Sequence, residues 1–332
     1  MRAPPPTRVF RGKKVLITGG LGFIGSNLAH RLVAVGAQVT LVDNLRPEYG
    51  GNRRNVAGLG RRVRIVIADV RDRARLPGLV RGQDYLFNLA GQTSHMDSMT
   101  DPDTDLEVNC RAQLSILEAC RRHNPRIRIV FASTRQIYGR PEYLPVDERH
   151  PLRPVDVNGI NKLAGEEYHR LYSEIHGVRS TVLRLTNTIG PRMRVKDARQ
   201  TFVGVWIKQA LQGKAFEVWG GRQMRDFTDV EDAVDALLLA AAKRSAVGRV
   251  YNLGGRGRIN LRELAELVVA AAGRGSFRVR AYPAGRRKID IGDYYADDRK
   301  IARELGWRPS TAIREAVRRT VEYYRQELPH YL

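Results

Sequence analysis

Three glycines spaced three residues apart follow a short apolar run near the start of the chain. The run is Val15–Ile17, and the glycines occupy positions 19, 22 and 25. Glycine is needed where a turn is tight, where backbone amides approach a phosphate, and where a helix packs closely on a strand. The N-terminus of the following helix adds partial positive charge. The predicted cradle for the pyrophosphate of a dinucleotide comprises Gly19, Gly22, Phe23, Ile24 and Gly25.

An acidic residue follows the second apolar run, eighteen residues after the last glycine of the cradle. A carboxylate at Asp43 can accept both hydroxyls of an adenosine ribose, whereas it would repel a 2′-phosphate. The sequence therefore predicts NAD rather than NADP. Small or polar residues after this and later strands are expected to border the same cofactor. They are Asn44, Asp69, Val70, Leu89, Ala90 and Gly91.

Five short apolar runs alternate with helical patterns through the first half of the chain. Parallel neighbouring strands need helical crossovers, so this order predicts an α/β fold with a Rossmann-type doubly wound parallel sheet. Ligands bind at the carboxyl ends of such strands. The predicted strands are Lys14–Thr18, Gln38–Val42, Val63–Ala68, Tyr85–Ala90 and Ile127–Ser133.

The second half of the chain begins with a long predicted helix, Val155–His176, and a strand, Ser180–Leu185. Its pattern then loosens and ends in an amphipathic helix, Ala312–Glu327, which predicts a smaller C-terminal α/β lobe for substrate. We expect a disordered basic, proline-rich tail at 1–12 and an NAD-binding Rossmann domain at 13–187. Residues 188–332 are expected to bind mainly substrate, with some segments returning to the first body.

The composition of the 332 residues, 42% hydrophobic, is that of a chain with a large core. Its formal charge of +22 comes from arginines spread along the whole chain, and aromatic residues make up only 7%. This distribution indicates a solvated surface and does not predict a nucleic-acid partner. The absence of a long apolar run predicts a cytoplasmic protein without a membrane partner. Cys110 and Cys120 are expected to be apolar fillers, and no metal site is predicted.

Several segments resemble the extended short-chain dehydrogenase/reductase family, in its group of NAD-dependent nucleotide-sugar epimerases and dehydratases. Residues 18–25, Thr-Gly-Gly-Leu-Gly-Phe-Ile-Gly, resemble the family's glycine motif. Residues 131–139, Phe-Ala-Ser-Thr-Arg-Gln-Ile-Tyr-Gly, resemble its catalytic Ser/Thr segment, which implies Thr134. The resemblance spans Lys14 to about Tyr324 and is greatest to UDP-glucose 4-epimerase and UDP-glucuronate decarboxylase-like members. It implies bound NAD and a nucleotide-diphosphate sugar as substrate.

The same resemblance implies which residues hold the sugar nucleotide. Guanidinium forks match phosphate oxygens, and a carboxylate matches paired ribose hydroxyls, so the residue types suit this task. The implied residues lie in the segments 183–192, 220–227 and 286–290. They are Asn187, Arg192, Arg225, Arg287 and Asp290.

One position departs from the family's catalytic pair, a tyrosine and a lysine four residues apart on one helix face. The matching residues here are Asn158 and Lys162. The resemblance implies that Lys162 holds the nicotinamide ribose, but an asparagine cannot act as a phenolate base. We therefore predict a catalytic group of Thr134, Asn158 and Lys162 that needs a different proton acceptor.

Three accounts of this replacement remain open. A neighbouring group can serve as the base, with Asp156, His95 and Lys162 as candidates; water can replace it at a low rate; or the protein binds its ligands without turnover. Asp156 can equally be a helix cap, and His95 an ordinary loop residue.

The residues after Thr134 reduce the number of reactions that the chain is expected to catalyse. Dehydratases of the family carry an Asp-Glu pair there, and decarboxylases favour a glutamate, whereas this chain has Arg135-Gln136. Glu48 and Glu118 remain as candidates for this acid, because folding can bring either of them to the site. We predict an epimerase that oxidises a sugar hydroxyl transiently and returns the hydride. The alternatives are a non-catalytic NAD and nucleotide-sugar binder, a decarboxylase or a dehydratase.

The resemblance also implies a homodimer. It would form through the helix carrying Lys162 and the predicted helix at about Leu106–His123. The apolar stripe on the latter serves equally for packing against the sheet.

Overall fold

The computed structural model describes residues 7–283 and 289–332. Its centre is a seven-stranded, all-parallel sheet in the order β11-β6-β5-β4-β1-β2-β3. This confirms the predicted doubly wound α/β fold, and all five strands predicted in the first half are present. The sheet comprises β1 (Lys14–Thr18), β2 (Gln38–Asp43), β3 (Val63–Ile67), β4 (Tyr85–Asn88), β5 (Arg128–Thr134), β6 (Arg179–Leu185) and β11 (Val250–Asn252).

Shorter strands form three two-stranded sheets. β7 pairs with β10 and β8 with β13 in parallel, and β9 pairs with β12 antiparallel. These strands are β7 (Asn187–Ile189), β8 (Ala215–Trp219), β9 (Met224–Arg225), β10 (Phe227–Asp229), β12 (Ile259–Asn260) and β13 (Ser276–Arg280).

Helices cover both faces of the main sheet and fill the C-terminal part. In the order of the chain they are α1 (Phe23–Ala34), α2 (Leu76–Val80), α3 (His95–Thr100), α4 (Pro102–Leu106), α5 (Ala112–His123), α6 (Val157–His176), α7 (Phe202–Leu211), α8 (Val230–Ala242), α9 (Leu261–Ala272), α10 (Arg299–Leu305) and α11 (Ile313–Glu327).

Burial on both faces explains why the central strands are continuously apolar. Val15, Leu16 and Ile17 of β1 are each at most 1% exposed, as expected for a parallel sheet between helical layers. One face packs on α1 and α8, and the other on α2, α5 and α6. A separate apolar cluster joins α7, α9, α11, β8 and β13.

The position of α6 is fixed at both ends. Asp156 caps its N-terminus by accepting a hydrogen bond from Gly159 N at 2.7 Å, and Gly177 ends it in the left-handed conformation (φ 67°). The predicted start at Val155 was two residues early. The helix expected at 106–123 is interrupted by a π-helical segment, Glu107–Arg111, because α4 and α5 are joined with a wider turn there.

The predicted tail needs a correction. Residues Thr7–Phe10 form a 3₁₀ turn, and Phe10 is fully buried against Tyr85, with ring centroids 4.9 Å apart. Apolar burial therefore holds 7–12 on the body, while 1–6 lie outside the described residues. Segments after residue 188 also return to the first body, since β11 joins the main sheet. The domain division near residue 187 stays a prediction.

Candidate active site

One cleft opens at the carboxyl ends of β1, β2, β4, β5 and β6. The structure brings every predicted cofactor residue to its lining, together with Thr134, Asn158, Lys162 and Asn187. The predicted cofactor residues are Gly19, Gly22, Phe23, Ile24, Gly25, Asp43, Asn44, Asp69, Val70, Leu89, Ala90, Gly91 and Lys162. Their roles in binding stay predictions.

The glycine loop between β1 and α1 is closed by backbone contacts that leave no room for side chains. Gly19 has φ +67°, and a Cβ on Gly25 would lie 2.2 Å from the carbonyl oxygen of Gly19. A Cβ on Gly22 would lie 3.2 Å from the same oxygen. The loop thus folds tightly onto the start of α1, whose free amides suit a pyrophosphate, so its geometry fits a dinucleotide.

The carboxylate of Asp43 stands at the end of β2. Its two oxygens accept hydrogen bonds from Leu21 N at 3.0 Å and Leu45 N at 2.9 Å. A carboxylate has about four acceptor sites, so both oxygens can still accept ribose hydroxyls. Burial raises the pKa of Asp43. Asp69 differs, because Arg71 binds both of its oxygens and Asn44 binds one.

Thr134 and Lys162 approach the cleft from β5 and α6. Thr134 Oγ1 accepts a hydrogen bond from Gln136 N at 3.2 Å. Lys162 Nζ donates to Ala132 O at 3.2 Å and lies 5.1 Å from the ring centre of Phe131. Burial lowers the pKa of Lys162 to about 8, although the Asp105 carboxylate opposes this shift. The lysine is therefore held by neutral groups and has donors left for a ligand.

Asn158 is anchored by its side-chain amide. Its Nδ2 donates to Gln92 O and to Asp105 Oδ2, both at 2.9 Å. The other carboxylate oxygen of Asp105 accepts from Asn161 Nδ2 at 2.9 Å. Both partners of Asn158 Nδ2 are acceptors, which fixes the orientation of the amide. The sequence offered no signal for Asp105, whose side chain is fully buried.

A histidine and a carboxylate meet beside Asn158. His95 begins α3 and lines the cleft, and its Nδ1 lies 3.0 Å from Asp156 Oδ2 in a bent contact. Asp156 also accepts from Gln136 Nε2 and Gly159 N, each at 2.7 Å. Burial raises the pKa of Asp156, but the adjacent His95 and the two hydrogen bonds outweigh it, so the pKa is lowered. The carboxylate is fully buried, whereas the imidazole is 39% exposed and available to a ligand.

A buried polar network supports the strands that carry the site. Arg184 of β6 forms an ion pair with Glu166 of α6, and both side chains are at most 5% exposed. Glu166 also accepts from Ser133 Oγ at 2.7 Å, and Arg184 Nη1 donates to Tyr138 Oη at 2.6 Å. Tyr138 donates onward to Asn252 at 2.6 Å. The network ties β5, β6, β11 and α6 together directly behind Thr134.

Three residues predicted to bind substrate, Arg192, Arg225 and Asp290, are not among the residues that line the cleft. Arg225 donates to Gly292 O, and its Nη2 lies 3.4 Å from Asp290 Oδ1. Arg192 has φ 73° and donates from Nη1 to Asn27 Oδ1 at 2.7 Å. Arg287 lies outside the described residues. The structure thus brings Arg225 and Asp290 together and leaves Arg192 apart from them.

Other acids of the sequence are held elsewhere. Glu118 forms ion pairs with Arg121 and Arg122, which lower its pKa to about 2. Glu48 is exposed and is not among the residues that line the cleft. In residues 7–283 and 289–332 no cluster of His, Cys, Asp or Glu is arranged to hold a metal ion. Over the same ranges, no helix has the length and apolarity that crossing a membrane requires.

Comparison with known proteins gives a consistent result. A profile of the NAD dependent epimerase/dehydratase family matches residues 15–254. A putative UDP-glucose 4-epimerase of Methanocaldococcus jannaschii is 32% identical over 93% of this chain and 97% of its own length. UDP-glucuronic acid decarboxylase 1 of Xenopus tropicalis is 34% identical over 96% of this chain and 73% of its own.

A solved structure shares the fold along nearly the whole chain. UDP-glucose 4-epimerase of Thermotoga maritima, solved with UDP-glucose, matches with a TM-score of 0.86 and 28% identity. The match covers 95% of this chain and 99% of that one.

Proposed function

The chain belongs to the NAD-dependent epimerase/dehydratase family, whose cofactor is NAD, and we propose that it is a nucleotide-sugar epimerase. The observation that supports the proposal is the set of residues in and beside the cleft. The glycine cradle, Thr134 and Lys162 share one lining with Asn187, while Arg135 and Gln136 follow Thr134. Because no carboxylate occupies these two positions, elimination and decarboxylation by the routes that the resemblance implies lack their acids.

The residues that would hold NAD are those of the cradle, with Asp43 for the adenosine ribose and Lys162 for the nicotinamide ribose. When bound, NAD supplies a hydride acceptor that also returns the hydride. Burial lowers the pKa of Lys162 to about 8, and ribose hydroxyls would satisfy donors that the protein leaves free.

Asn158 takes the position of the family's tyrosine, and we infer that His95 takes over its proton transfer. An imidazole nitrogen can accept a proton and return it, which a side-chain amide cannot do. Its contact with Asp156 supports this role, because a carboxylate at Nδ1 directs Nε2 toward the cleft and stabilises the imidazolium. The bent contact can straighten when substrate binds.

The proposed sequence of events uses two side chains. Thr134 orients the reacting hydroxyl through Oγ1. His95 Nε2 removes the hydroxyl proton as the hydride leaves the same carbon, so a carbonyl forms. After the sugar turns its other face, the hydride returns to carbon and His95 returns the proton to oxygen. The product is the sugar with one inverted hydroxyl, and no net oxidation occurs.

The experiment is an assay of the NAD-loaded protein with UDP-, GDP-, CDP- and TDP-linked hexoses and their uronates. The proposal expects one of them to be converted to its epimer, observed by proton NMR, and the conversion to be lost in His95→Gln. A second candidate, a binding protein without turnover, is favoured by the anchored amide of Asn158. Binding of NAD and a nucleotide sugar with no epimer from any member of the panel would support that candidate instead.

A further inference from the structure

Arg135 is the one residue of the cleft lining whose charge has no explanation in the preceding account. It directly follows Thr134, and its guanidinium lies over the ring of Tyr294, 5.1 Å from the ring centre. Its Nη2 donates to Asn187 Oδ1 at 3.2 Å. Two further donors at this point, Arg135 Nη1 and Asn187 Nδ2, are buried and have no hydrogen-bond partner.

The carboxylates near Arg135 are bound to other groups. Asp156 accepts from Gln136 and Gly159 N, and Asp226 accepts from Thr186 at 2.6 Å and from backbone amides. Asp290 is paired with Arg225. Within 7–283 and 289–332, Arg135 forms no ion pair. The undescribed residues contain no Asp or Glu. The guanidinium therefore has only neutral neighbours at contact distance.

Arg135 is half-buried, and its Nη1 is enclosed. Removing a guanidinium from water without a counterion is costly, and arginine does not escape the cost by losing its proton. Burial lowers the pKa of Arg135, and this effect outweighs the opposing influence of Tyr294 and of the carboxylates of Asp226, Asp290 and Asp156. Such an arrangement is typical of a site completed by a ligand. The missing partner is an anion that can take two or more hydrogen bonds from a guanidinium fork and an amide.

We propose that Arg135 and Asn187 bind a carboxylate on the sugar ring, so that the substrate is a nucleotide-linked sugar acid of the hexuronate type. This proposal rests on the proposed function, because it assumes a nucleotide sugar in the cleft. The place of Arg135 next to Thr134 puts it beside the reacting hydroxyl. The diphosphate has a separate candidate in Arg225, which is paired with Asp290.

The test begins by finding the nucleotide. Melting curves of the NAD-loaded protein are measured with UDP, GDP, CDP and TDP, and the nucleotide with the largest shift is chosen. Dissociation constants are then measured for that nucleotide, its hexose and its hexuronate. Arg135→Met is compared with Arg258→Met, a matched control in which an exposed arginine lies 4.8 Å from the ring centre of Tyr295.

The proposal predicts that the wild type binds the hexuronate about 10-fold to 100-fold more tightly than the hexose. Arg135→Met should abolish this preference, leave the affinity for the free nucleotide unchanged and raise the melting temperature of the ligand-free protein. Arg258→Met should keep the preference. Should Arg135→Met not fold, Arg135→Lys, which keeps the charge but loses the fork, is expected to reduce the preference.

Two results would overturn the proposal while leaving the proposed function in place. One is equal affinity of the wild type for hexose and hexuronate. The other is equal weakening of nucleotide, hexose and hexuronate in Arg135→Met, which would assign the arginine to the diphosphate. If none of the four nucleotides shifts the melting curve, the proposed function itself fails.

Discussion

The side-chain amide of Asn158 is hydrogen-bonded to the buried carboxylate of Asp105, with Nδ2 and Oδ2 2.9 Å apart. Asn161, one turn later on α6, binds the other oxygen of the same carboxylate. A fully buried carboxylate is stable only when its oxygens are satisfied. Asn158 therefore has a structural task of its own.

A tyrosine placed at position 158 should consequently destabilise the protein. In Asn158→Tyr the larger ring must enter a site that is 2% exposed, and one oxygen of Asp105 loses its donor. We expect unfolding to become easier by about 1–3 kcal/mol, measured by urea denaturation. Ile160→Tyr, at a position of the same helix that is 54% exposed, is the control and should change little. An unchanged stability of Asn158→Tyr would show that the amide is dispensable.

His95 and Asp156 should affect turnover more than binding. His95→Gln removes the proposed proton acceptor, so kcat should fall about 10²–10⁴-fold with little change in KM. Asp156→Asn keeps a helix-capping side chain, and its smaller loss should come with an altered pH profile. His176→Gln, at the exposed end of α6, is the control. Full activity of His95→Gln would exclude the histidine as the base.

Lys162 should make the ligand-free protein less stable at neutral pH than at alkaline pH. Its pKa is about 8 when folded and 10.5 ordinarily, so between these values the unfolded chain binds the extra proton. Stability therefore rises with pH across this window, by about 3 kcal/mol in all. Lys162→Met should flatten this rise and stabilise the protein below pH 8, while it weakens NAD binding.

Thermal melts between about pH 6 and pH 11, a range that brackets both pKa values, check the prediction for Lys162. Lys196→Met, at an exposed position, provides the comparison and should leave the pH dependence as it is. A wild-type protein whose stability falls steadily through this range would contradict the assignment.

The glycine cradle gives a prediction for cofactor binding. In Gly25→Ala the added Cβ would lie 2.2 Å from the backbone oxygen of Gly19, so the loop must open. We expect the affinity for NAD to fall at least about 100-fold, roughly the loss of two charge-assisted hydrogen bonds. Gly78→Ala, where nothing lies within 4 Å of the new Cβ, should bind NAD normally. Isothermal titration compares the two variants.

Periodicity was sufficient to predict the sheet, because each strand between two helical layers must be apolar along its length. The glycine spacing and Asp43 were local signals, and the cleft contains all of them. The site also depends on contacts between residues far apart in sequence, such as Asp105 with Asn158 and His95 with Asp156. Such contacts leave no periodic pattern or motif in the sequence, so they could not be predicted from it.

Contacts between residues far apart in sequence also explain why the substrate-binding residues of the second half were hard to predict. Arg192 fits a motif, but its backbone conformation turns its guanidinium to Asn27. The charge of Arg135 was visible in the sequence, yet the absence of a counterion became visible only once the neighbouring acids had partners. Local sequence determines which elements form, whereas burial and competition among partners determine which charges remain free for a ligand.

The most direct test of the account follows the nicotinamide absorbance of NAD-loaded wild type and His95→Gln in a stopped-flow instrument. Each is mixed with the hexose and hexuronate of the preferred nucleotide. The account predicts transient reduced nicotinamide in the wild type, followed by the epimer, and neither signal in His95→Gln. Equal reduction in both proteins would contradict the role of His95, and no reduction in the wild type despite tight binding of the sugar nucleotide would contradict catalysis altogether.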